Sequence, residues 1–414
     1  MIFQKYKRLF LIFGFILLTF SLGYLIFKMF LGASITSEPT PDESLSTSTP
    51  GKLPIAQEGQ APIISENENS SKNFPQTSII PKTKISEIAK GGATKTTALT
   101  DSPTIGMKLD QNGSSIKYYE KNSGKFYKLS KNGEKVLLSE KVFHNVQNVT
   151  WSPTEGKAVL EYPDGANIVY DFDSEKQVTL PAHWESFDFS PQGDQLVFKS
   201  LGKDPDNRWL AVASVNGSKT KIIESIGNND NLVYDKWSPN NQIIAMHTEG
   251  KDFDRQEVYF IGLNEENFKS TIIDGRGFQP KWSPVGDRLL YSVYSSENQM
   301  KPNLWIVNAQ GEAIGSGKRN LNLETWAEKC AFADNIIVYC AVPENLAEGA
   351  GLFPELAVNT KDALYQINTS TGSKKLIAIP DGNFNITNIT SDKDERYLYF
   401  TDSKTEQIHQ VKLK

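Results

Sequence analysis

Four stretches of the sequence repeat one phrase and decide the fold: residues 151–162 read WSPTEGKAVLEY, 189–200 read FSPQGDQLVFKS, 237–248 read WSPNNQIIAMHT and 282–293 read WSPVGDRLLYSV. Each begins with an aromatic residue, continues with Ser-Pro and turn-forming residues, and ends in an apolar run. Pro pre-sets one backbone dihedral of a turn, and Gly or Asn tolerates the positive φ that follows. The apolar run is typical of a buried strand. The phrase therefore predicts a strand, a tight turn and a second strand.

Three looser copies extend the repeat in both directions. They read LDQNGSSIKYYEK at 109–121, FADNIIVYCAV at 332–342 and ITSDKDERYLYFTD at 389–402. The copies begin at positions 109, 151, 189, 237, 282, 332 and 389, a spacing typical of propeller blades. Further apolar runs supply third and fourth strands, and helical periodicity is nearly absent. We therefore predict an all-β propeller of about seven four-stranded blades over residues 106–414, or about six if the first unit merely closes the ring.

The phrase resembles the blade repeat of TolB-like, WD-repeat-like propellers of bacterial envelope proteins, which is also seen in the N-terminal propeller of dipeptidyl peptidase relatives. The resemblance covers residues 106–414, and the three W-S-P copies are its specific part. It implies a ring of four-stranded sheets in a membrane-anchored envelope protein.

The last sheet is expected to need a strand from elsewhere in the chain. Only two strands, near 396–402 and 407–413, follow the last copy of the phrase. This leaves an unpaired edge, which proteins commonly cover. Residues 94–99 lie just upstream of the first unit and could fill it, so part of 85–100 is expected to close the ring.

The N-terminal region predicts a membrane anchor. Residues 9–27 read LFLIFGFILLTFSLGYLIF without a charge, and at about 1.5 Å per residue they match the hydrocarbon core of a bilayer. Lys5, Lys7 and Arg8 precede this run, whereas only Lys28 follows it closely. The positive-inside bias keeps the tail 1–8 in the cytoplasm and exports the rest. We expect a single-pass anchor at 9–31 in the cytoplasmic membrane, with a cleaved signal peptide as the alternative.

Residues 32–105 are predicted to be a disordered linker. The stretch 34–50 reads SITSEPTPDESLSTSTP and consists mostly of Ser, Thr and Pro, and Phe74 is the one aromatic residue between 34 and 104. Such a stretch buries too little apolar surface to offset its chain entropy. It is either a spacer that holds the propeller away from the bilayer or a linker of unselected sequence.

Charge and motifs exclude several functions. The net charge of −5, from 44 basic and 49 acidic side chains, excludes a dominant nucleic-acid footprint. The chain has no G-x-S-x-G elbow, and its histidines lie in separate units without shared spacing: His144, His183, His247 and His409. Residues 315–318, GSGK, lack the first Gly and the final Ser or Thr of a phosphate loop. We therefore predict no catalytic residue, cofactor or metal site.

The two cysteines suit an exported domain. Cys330 and Cys340 flank the turn centred on Asn335. Folding the hairpin about this turn places them opposite each other, so a cross-strand disulfide is sterically possible. An oxidising compartment would permit the bond. Two buried free cysteines are the alternative.

The loops between second and third strands are the candidate binding site, because rigid scaffolds carry functional residues on loops. These loops share the face opposite the W-S-P turns and are long and polar, the longest spanning 343–362. The candidate residues are Asp204, Asp206, Arg208, Asp252, Asp254, Arg255, Lys301, Glu348, Leu352 and Phe353. Leu352 and Phe353 are expected to be exposed apolar residues, with burial against the ring as the alternative.

Together these features favour a non-catalytic module, tethered outside the cytoplasmic membrane, that binds a protein or glycan partner. The alternative is a propeller-type hydrolase or lyase acting on envelope polysaccharide or peptide, with acids near the central channel. A signalling ectodomain is a third interpretation, which the short cytoplasmic tail disfavours.

Overall fold

The computed structural model describes residues 15, 17–22, 24–25, 84–130, 133–154 and 156–414. The chain divides into two compact units, Met1–Ser78 and Ile79–Lys414. In the first unit, the described residues belong to a helix whose large apolar side chains are 59–77% exposed. Within the described part of the chain, no helix has the length and apolarity needed to span a membrane. Most of the predicted anchor 9–31 and the linker up to residue 83 lie outside the described residues.

Two short strands open the described part of the second unit, and the blades follow. The opening strands are β1 (Gly92–Thr94) and β2 (Thr96–Ala98). Blade 1 holds β3 (Thr104–Leu109), β4 (Ser115–Glu120), β5 (Lys125–Ser130) and β6 (Lys135–Leu137). Blade 2 holds β7 (Asn148–Trp151), β8 (Lys157–Glu161), β9 (Asn167–Asp171) and β10 (Lys176–Leu180). Blade 3 holds β11 (Trp184–Phe189), β12 (Gln195–Leu201), β13 (Arg208–Ser214) and β14 (Lys221–Ser225).

The remaining blades keep this plan. Blade 4 holds β15 (Val233–Tyr234), β16 (Ile243–Gly250), β17 (Arg255–Gly262) and β18 (Thr271–Asp274). Blade 5 holds β19 (Arg276–Trp282), β20 (Arg288–Tyr294), β21 (Pro302–Asn308) and β22 (Arg319–Asn320). Blade 6 holds β23 (Cys330–Phe332), β24 (Ile337–Pro343), β25 (Asp362–Asn368) and β26 (Lys374–Pro380). Blade 7 holds β27 (Ile386–Ser391), β28 (Tyr397–Asp402) and β29 (Ile408–Lys412).

The described residues of the second unit thus form an all-β propeller of seven sheets, which confirms seven blades rather than six. The first unit of the repeat is a complete blade that begins at Thr104, slightly before the predicted start at 106. First strands contact one another in four pairs of neighbouring blades, including β27 with β3 across the point of closure. Short 3-10 helices interrupt the loops at Pro205–Asn207, Asp230–Leu232, Ser296–Asn298, Gly311–Ala313, Ala327–Lys329 and Pro354–Ala357.

The serine of the repeated phrase holds each turn through its side chain. Ser190 Oγ accepts hydrogen bonds from the backbone N–H groups of Asp194 and Gln195 at 3.2 and 3.1 Å. In the copies at 109–121 and 389–402, Asp stands at the position of this Ser and accepts the equivalent hydrogen bonds. Asp110 Oδ1, for example, accepts from the N–H groups of Ser114 and Ser115 at 3.0 and 3.2 Å. The copies diverge in sequence because either side-chain oxygen can bond the amides that start the second strand.

The tryptophan of the phrase reaches the neighbouring blade in two of its copies. The indole Nε1 of Trp151 in blade 2 donates to Gly106 O of blade 1 at 2.7 Å, and Trp282 in blade 5 donates to Lys236 O of blade 4 at 2.9 Å. These two indoles therefore satisfy their one donor on the neighbouring blade, whereas Trp237 donates to Asn241 Oδ1 of its own turn at 2.8 Å.

The N-terminal strands of the unit cover two outer edges. Strand β2 pairs antiparallel with β29 as the fourth strand of blade 7, within the segment 94–99 that the sequence suggested for this edge. Strand β1 pairs in parallel with β26 and gives blade 6 a fifth strand, which the sequence analysis did not predict. Part of the predicted linker is therefore ordered, because it supplies backbone partners to edges that are otherwise unpaired.

The disulfide that the hairpin allows is present. Cys330 and Cys340 are directly opposite in the register of β23 and β24, with their Cα atoms 4.0 Å apart and their Sγ atoms bonded. Both residues are fully buried in blade 6. The bond therefore closes the innermost hairpin of that blade.

Candidate binding face

Loops of three consecutive blades are bonded together on the face opposite the W-S-P turns. We call residues 251–254 of blade 4, 295–301 of blade 5 and 344–361 of blade 6 the loop wall. Asp254 accepts hydrogen bonds from the backbone N–H and the hydroxyl of Ser296, the first at 2.7 Å. The N–H of Gly351 donates to Met300 O at 2.7 Å. The three loops therefore form one continuous surface.

The blade 4 loop is held by charged side chains. Arg255 donates from Nε to Asp252 Oδ2 at 2.7 Å, and this hydrogen bond lowers the pKa of the Asp252 carboxyl. Arg276, at the start of β19, donates to Asp252 O at 3.0 Å from the neighbouring blade. Asp252, Asp254 and Arg255, three of the predicted binding residues, thus shape a turn that a second blade supports.

The blade 6 loop has a buried base and a group of exposed apolar side chains. Ala350 and Ala357 are buried and pack with Trp326. A side chain at Gly351 would place its Cβ 2.6 Å from Tyr294 Cβ, so the loop approaches blade 5 as closely as glycine allows. Four apolar side chains above this base are 47–51% exposed: Leu352, Phe353, Leu356 and Val358. We call these four residues the apolar patch. The exposure predicted for Leu352 and Phe353 is therefore observed, rather than burial against the ring.

A cleft of about 780 Å³ lies between blades 4 and 5 under the loop wall. It is lined by Asp252, Phe253, Asp254, Arg255, Asp274, Val293, Ser295, Glu297, Asn298, Asn303, Trp305, Asn320 and Asn322. Trp305 is partly buried and stacks on Tyr291 with an interplanar angle of 14°. The Phe253 side chain is 74% exposed. Two aromatic rings and four amide side chains therefore share one concave surface.

The acidic groups of this cleft differ in their partners. Asp252 is paired with Arg255, and Asp274 Oδ2 lies 2.5 Å from Lys318 Nζ. Among the described residues, no basic nitrogen lies within ion-pair distance of Asp254 or Glu297. The cleft therefore keeps two carboxylates without a cationic neighbour.

The other predicted binding residues lie outside the cleft. Asp204 Oδ1 accepts from the N–H of Asp206 at 3.1 Å and caps the short helix Pro205–Asn207. Arg208 Nε donates to Gly202 O at 3.0 Å within the same loop of blade 3. Lys301 pairs with Glu324 at 3.5 Å, and Glu348 is an exposed member of the loop wall.

Charged side chains meet around the propeller axis, which the sequence analysis missed. Lys108 of blade 1 interacts electrostatically with Asp188 of blade 3, and Lys236 of blade 4 interacts with the same carboxylate. Desolvation lowers the pKa of Lys281 to about 8, although this residue is only partly buried, and full burial raises the pKa of Asp235 to about 6. One sequence signal could have found most of this group, because Lys108, Asp188, Lys236 and Lys281 each directly precede the first residue of a repeat copy.

The described residues contain no group of three His, Cys, Asp or Glu side chains that could hold a metal ion.

No family model matches the chain, and no curated protein matches its sequence. Solved structures share its fold. An oligogalacturonate lyase in complex with manganese has a TM-score of 0.51 and 13% identity, covering 77% of this chain and 93% of that one. A hydrazine synthase from Kuenenia stuttgartiensis has a TM-score of 0.50 and 11% identity, with 76% and 96% coverage. At these identities the likeness shows the propeller fold alone.

Proposed function

We propose that this protein is a membrane-tethered, extracytoplasmic propeller that binds a protein or glycan partner through its loop wall and acts as a non-catalytic scaffold. The observation that carries the proposal is the bonding of three consecutive loops into one surface. A surface that is already ordered loses less conformational entropy on binding than three independent loops would. Loops on a stiff ring therefore suit recognition.

The apolar patch supports a binding role for the same surface. Its four side chains lie together in one loop, and each is about half exposed. Contiguous exposed apolar groups on a soluble domain mark interaction sites. Buried Ala350 and Ala357 hold the loop from below, so the patch is presented by an ordered segment.

The tether rests on the sequence and on the resemblance to TolB-like propellers. Residues 9–27 carry no charge, and Lys5, Lys7 and Arg8 precede them, which favours an anchor with its C-terminal side exported. The Cys330–Cys340 disulfide suits an oxidising compartment. Protease added to intact spheroplasts should degrade the propeller unless the chain lies on the cytoplasmic side.

Partner capture tests the binding proposal. The full-length chain carrying Leu352→Ser and Phe353→Ser should lose its crosslinked partner in native cells, while its melting temperature stays unchanged because both side chains are exposed. Val285→Ser is the matched control, since Val285 is 55% exposed on a W-S-P turn of the opposite face. Equal capture by both variants would contradict a role for the loop wall.

The charged groups at the propeller axis favour a second candidate, a lyase or hydrolase acting on envelope polysaccharide. Displaced pKa values of Asp235 and Lys281 are typical of acid–base sites, and the fold shared with an oligogalacturonate lyase is compatible with this role. Turnover of any envelope polysaccharide that Lys281→Met abolishes would favour the enzyme. Turnover retained by the Lys281→Met variant would exclude the charged groups at the propeller axis as the catalytic site.

A further inference from the structure

We infer that the cleft between blades 4 and 5 is a glycan-binding site that accepts uncharged or amino sugars and rejects polyuronides. This inference rests on the proposed binding function and names the ligand class for one part of the loop wall. The cleft volume of about 780 Å³ lies in the range of roughly 300–1,000 Å³ found for small-ligand sites. It therefore suits a short oligosaccharide rather than a protein domain.

Two aromatic rings supply surfaces for the apolar faces of sugar rings. Trp305 lines the cleft and is backed by Tyr291, whose ring is nearly parallel to it at 6.4 Å. The indole packs against the buried cluster that contains Tyr291. Phe253 stands at the rim with 74% of its side chain exposed, although burial of such a ring is normally favourable. C–H groups of a pyranose pack against such rings through weak contacts.

Amide groups supply the hydrogen bonds that hydroxyls need. Asn298, Asn303, Asn320 and Asn322 line the cleft, and each amide carries a donor and an acceptor, as a sugar hydroxyl does. Asn303 Oδ1 is buried and accepts no hydrogen bond from the described residues. A buried acceptor without a partner carries a desolvation cost. A ligand hydroxyl bonded to Asn303 would remove that cost.

Charge decides which glycans fit. Asp254 and Glu297 have no basic partner among the described residues, whereas Arg255 and Lys318 are already engaged with Asp252 and Asp274. A polyuronide would bring carboxylates next to these two acids and be repelled. An amino sugar would instead gain an attraction that salt weakens.

Calorimetric titration of the full-length chain in detergent tests the inference with three trimers: N-acetylglucosamine, glucosamine and galacturonate. We expect both amino-sugar trimers to bind and trigalacturonate not to bind. Raising the salt concentration should weaken binding of the glucosamine trimer and leave binding of the N-acetylglucosamine trimer unchanged, because only the glucosamine trimer is a cation. Preferred binding of trigalacturonate would overturn the inference.

Variants locate the bound sugar. Phe253→Ala and Asn303→Ala should each weaken binding of the N-acetylglucosamine trimer by roughly three- to tenfold. Val285→Ala, on the opposite face of the propeller, should leave this binding unchanged. Circular dichroism checks that each variant is folded. Trimer binding that neither Phe253→Ala nor Asn303→Ala weakens would overturn the assignment to this cleft. If no trimer binds while partner capture still depends on Leu352 and Phe353, the glycan inference fails and the proposed function stands.

Discussion

Replacing Asp235 with Asn should stabilise the protein in a strongly pH-dependent way. The Asp235 side chain is 2% exposed, and its Oδ1 accepts a hydrogen bond from Ser186 Oγ at 2.8 Å. Its Oδ2 is buried and accepts no hydrogen bond from the described residues. Burial raises the pKa of this carboxyl from 3.8 to about 6, despite the opposing effects of Lys236 and Lys199.

The sign follows from comparing the folded and unfolded states. The folded-state pKa lies above the unfolded-state value, so the folded protein favours the protonated acid. This contribution to stability is fully present below about pH 4 and is lost as the pH rises through about 6. A difference of about two pKa units corresponds to about 3 kcal/mol. Asn cannot ionise, so the Asp235→Asn variant should escape this loss.

Denaturant unfolding at pH 4 and at pH 8 measures the effect. The free energy of unfolding of Asp235→Asn, relative to the unmodified protein, should increase by about 3 kcal/mol between the two pH values. Ser186→Ala is a matched variant of opposite sign, because it removes a hydrogen bond that favours the ionised acid, and it should deepen the loss at pH 8. A difference for Asp235→Asn that is constant with pH, or that decreases, would show that the fold does not raise the pKa of Asp235.

Further predictions concern the elements that hold the ring and the loop wall. Deleting residues 92–98 should lower the melting temperature markedly in calorimetry, since two strand edges lose their partners; an unchanged value would contradict closure by these strands. Gly351→Ala should weaken partner capture and lower the melting temperature, because the added Cβ would clash with Tyr294. Gly92→Ala should change neither, because a Cβ added there would have no atom within 4 Å. Equal effects of the two substitutions would contradict the close approach. Cys330 and Cys340 are 10 residues apart in the sequence, and reducing their disulfide should lower the free energy of unfolding by about 3 kcal/mol in a urea titration. An unchanged free energy of unfolding would exclude a stabilising role for the bond.

The fold was largely predictable because a short local sequence pattern marks each blade. An aromatic residue, a Ser-Pro turn and an apolar run follow one another without a break, as in 151–162, so one short stretch of sequence contains all the partners of the turn. Where the phrase degenerates, Asp110 and Asp392 still accept the amide hydrogen bonds that Ser accepts elsewhere. The parallel pairing of β1 with β26 was not predictable, because it joins Gly92 at the start of the propeller to Ala378 near its end.

Only some of the residues that line the cleft could be predicted from the sequence. Asp252, Asp254 and Arg255 stand out because they form a charged turn between two apolar strands. Trp305 and Asn303 instead lie in β21, which reads as an ordinary third strand. They reach the same cavity only because blade 5 packs beside the loop of blade 4, and this arrangement depends on the tertiary structure of the ring.

Crosslinking from defined positions in living cells reports which face of the propeller meets the partner. A photoreactive amino acid placed at Phe353 on the loop wall is compared with one at Val285 on the opposite face, since both native side chains are about half exposed. Recognition through the loop wall predicts one dominant adduct from position 353 and none from position 285. Adducts from position 285 alone, or the same adducts from both positions, would contradict recognition through the loop wall.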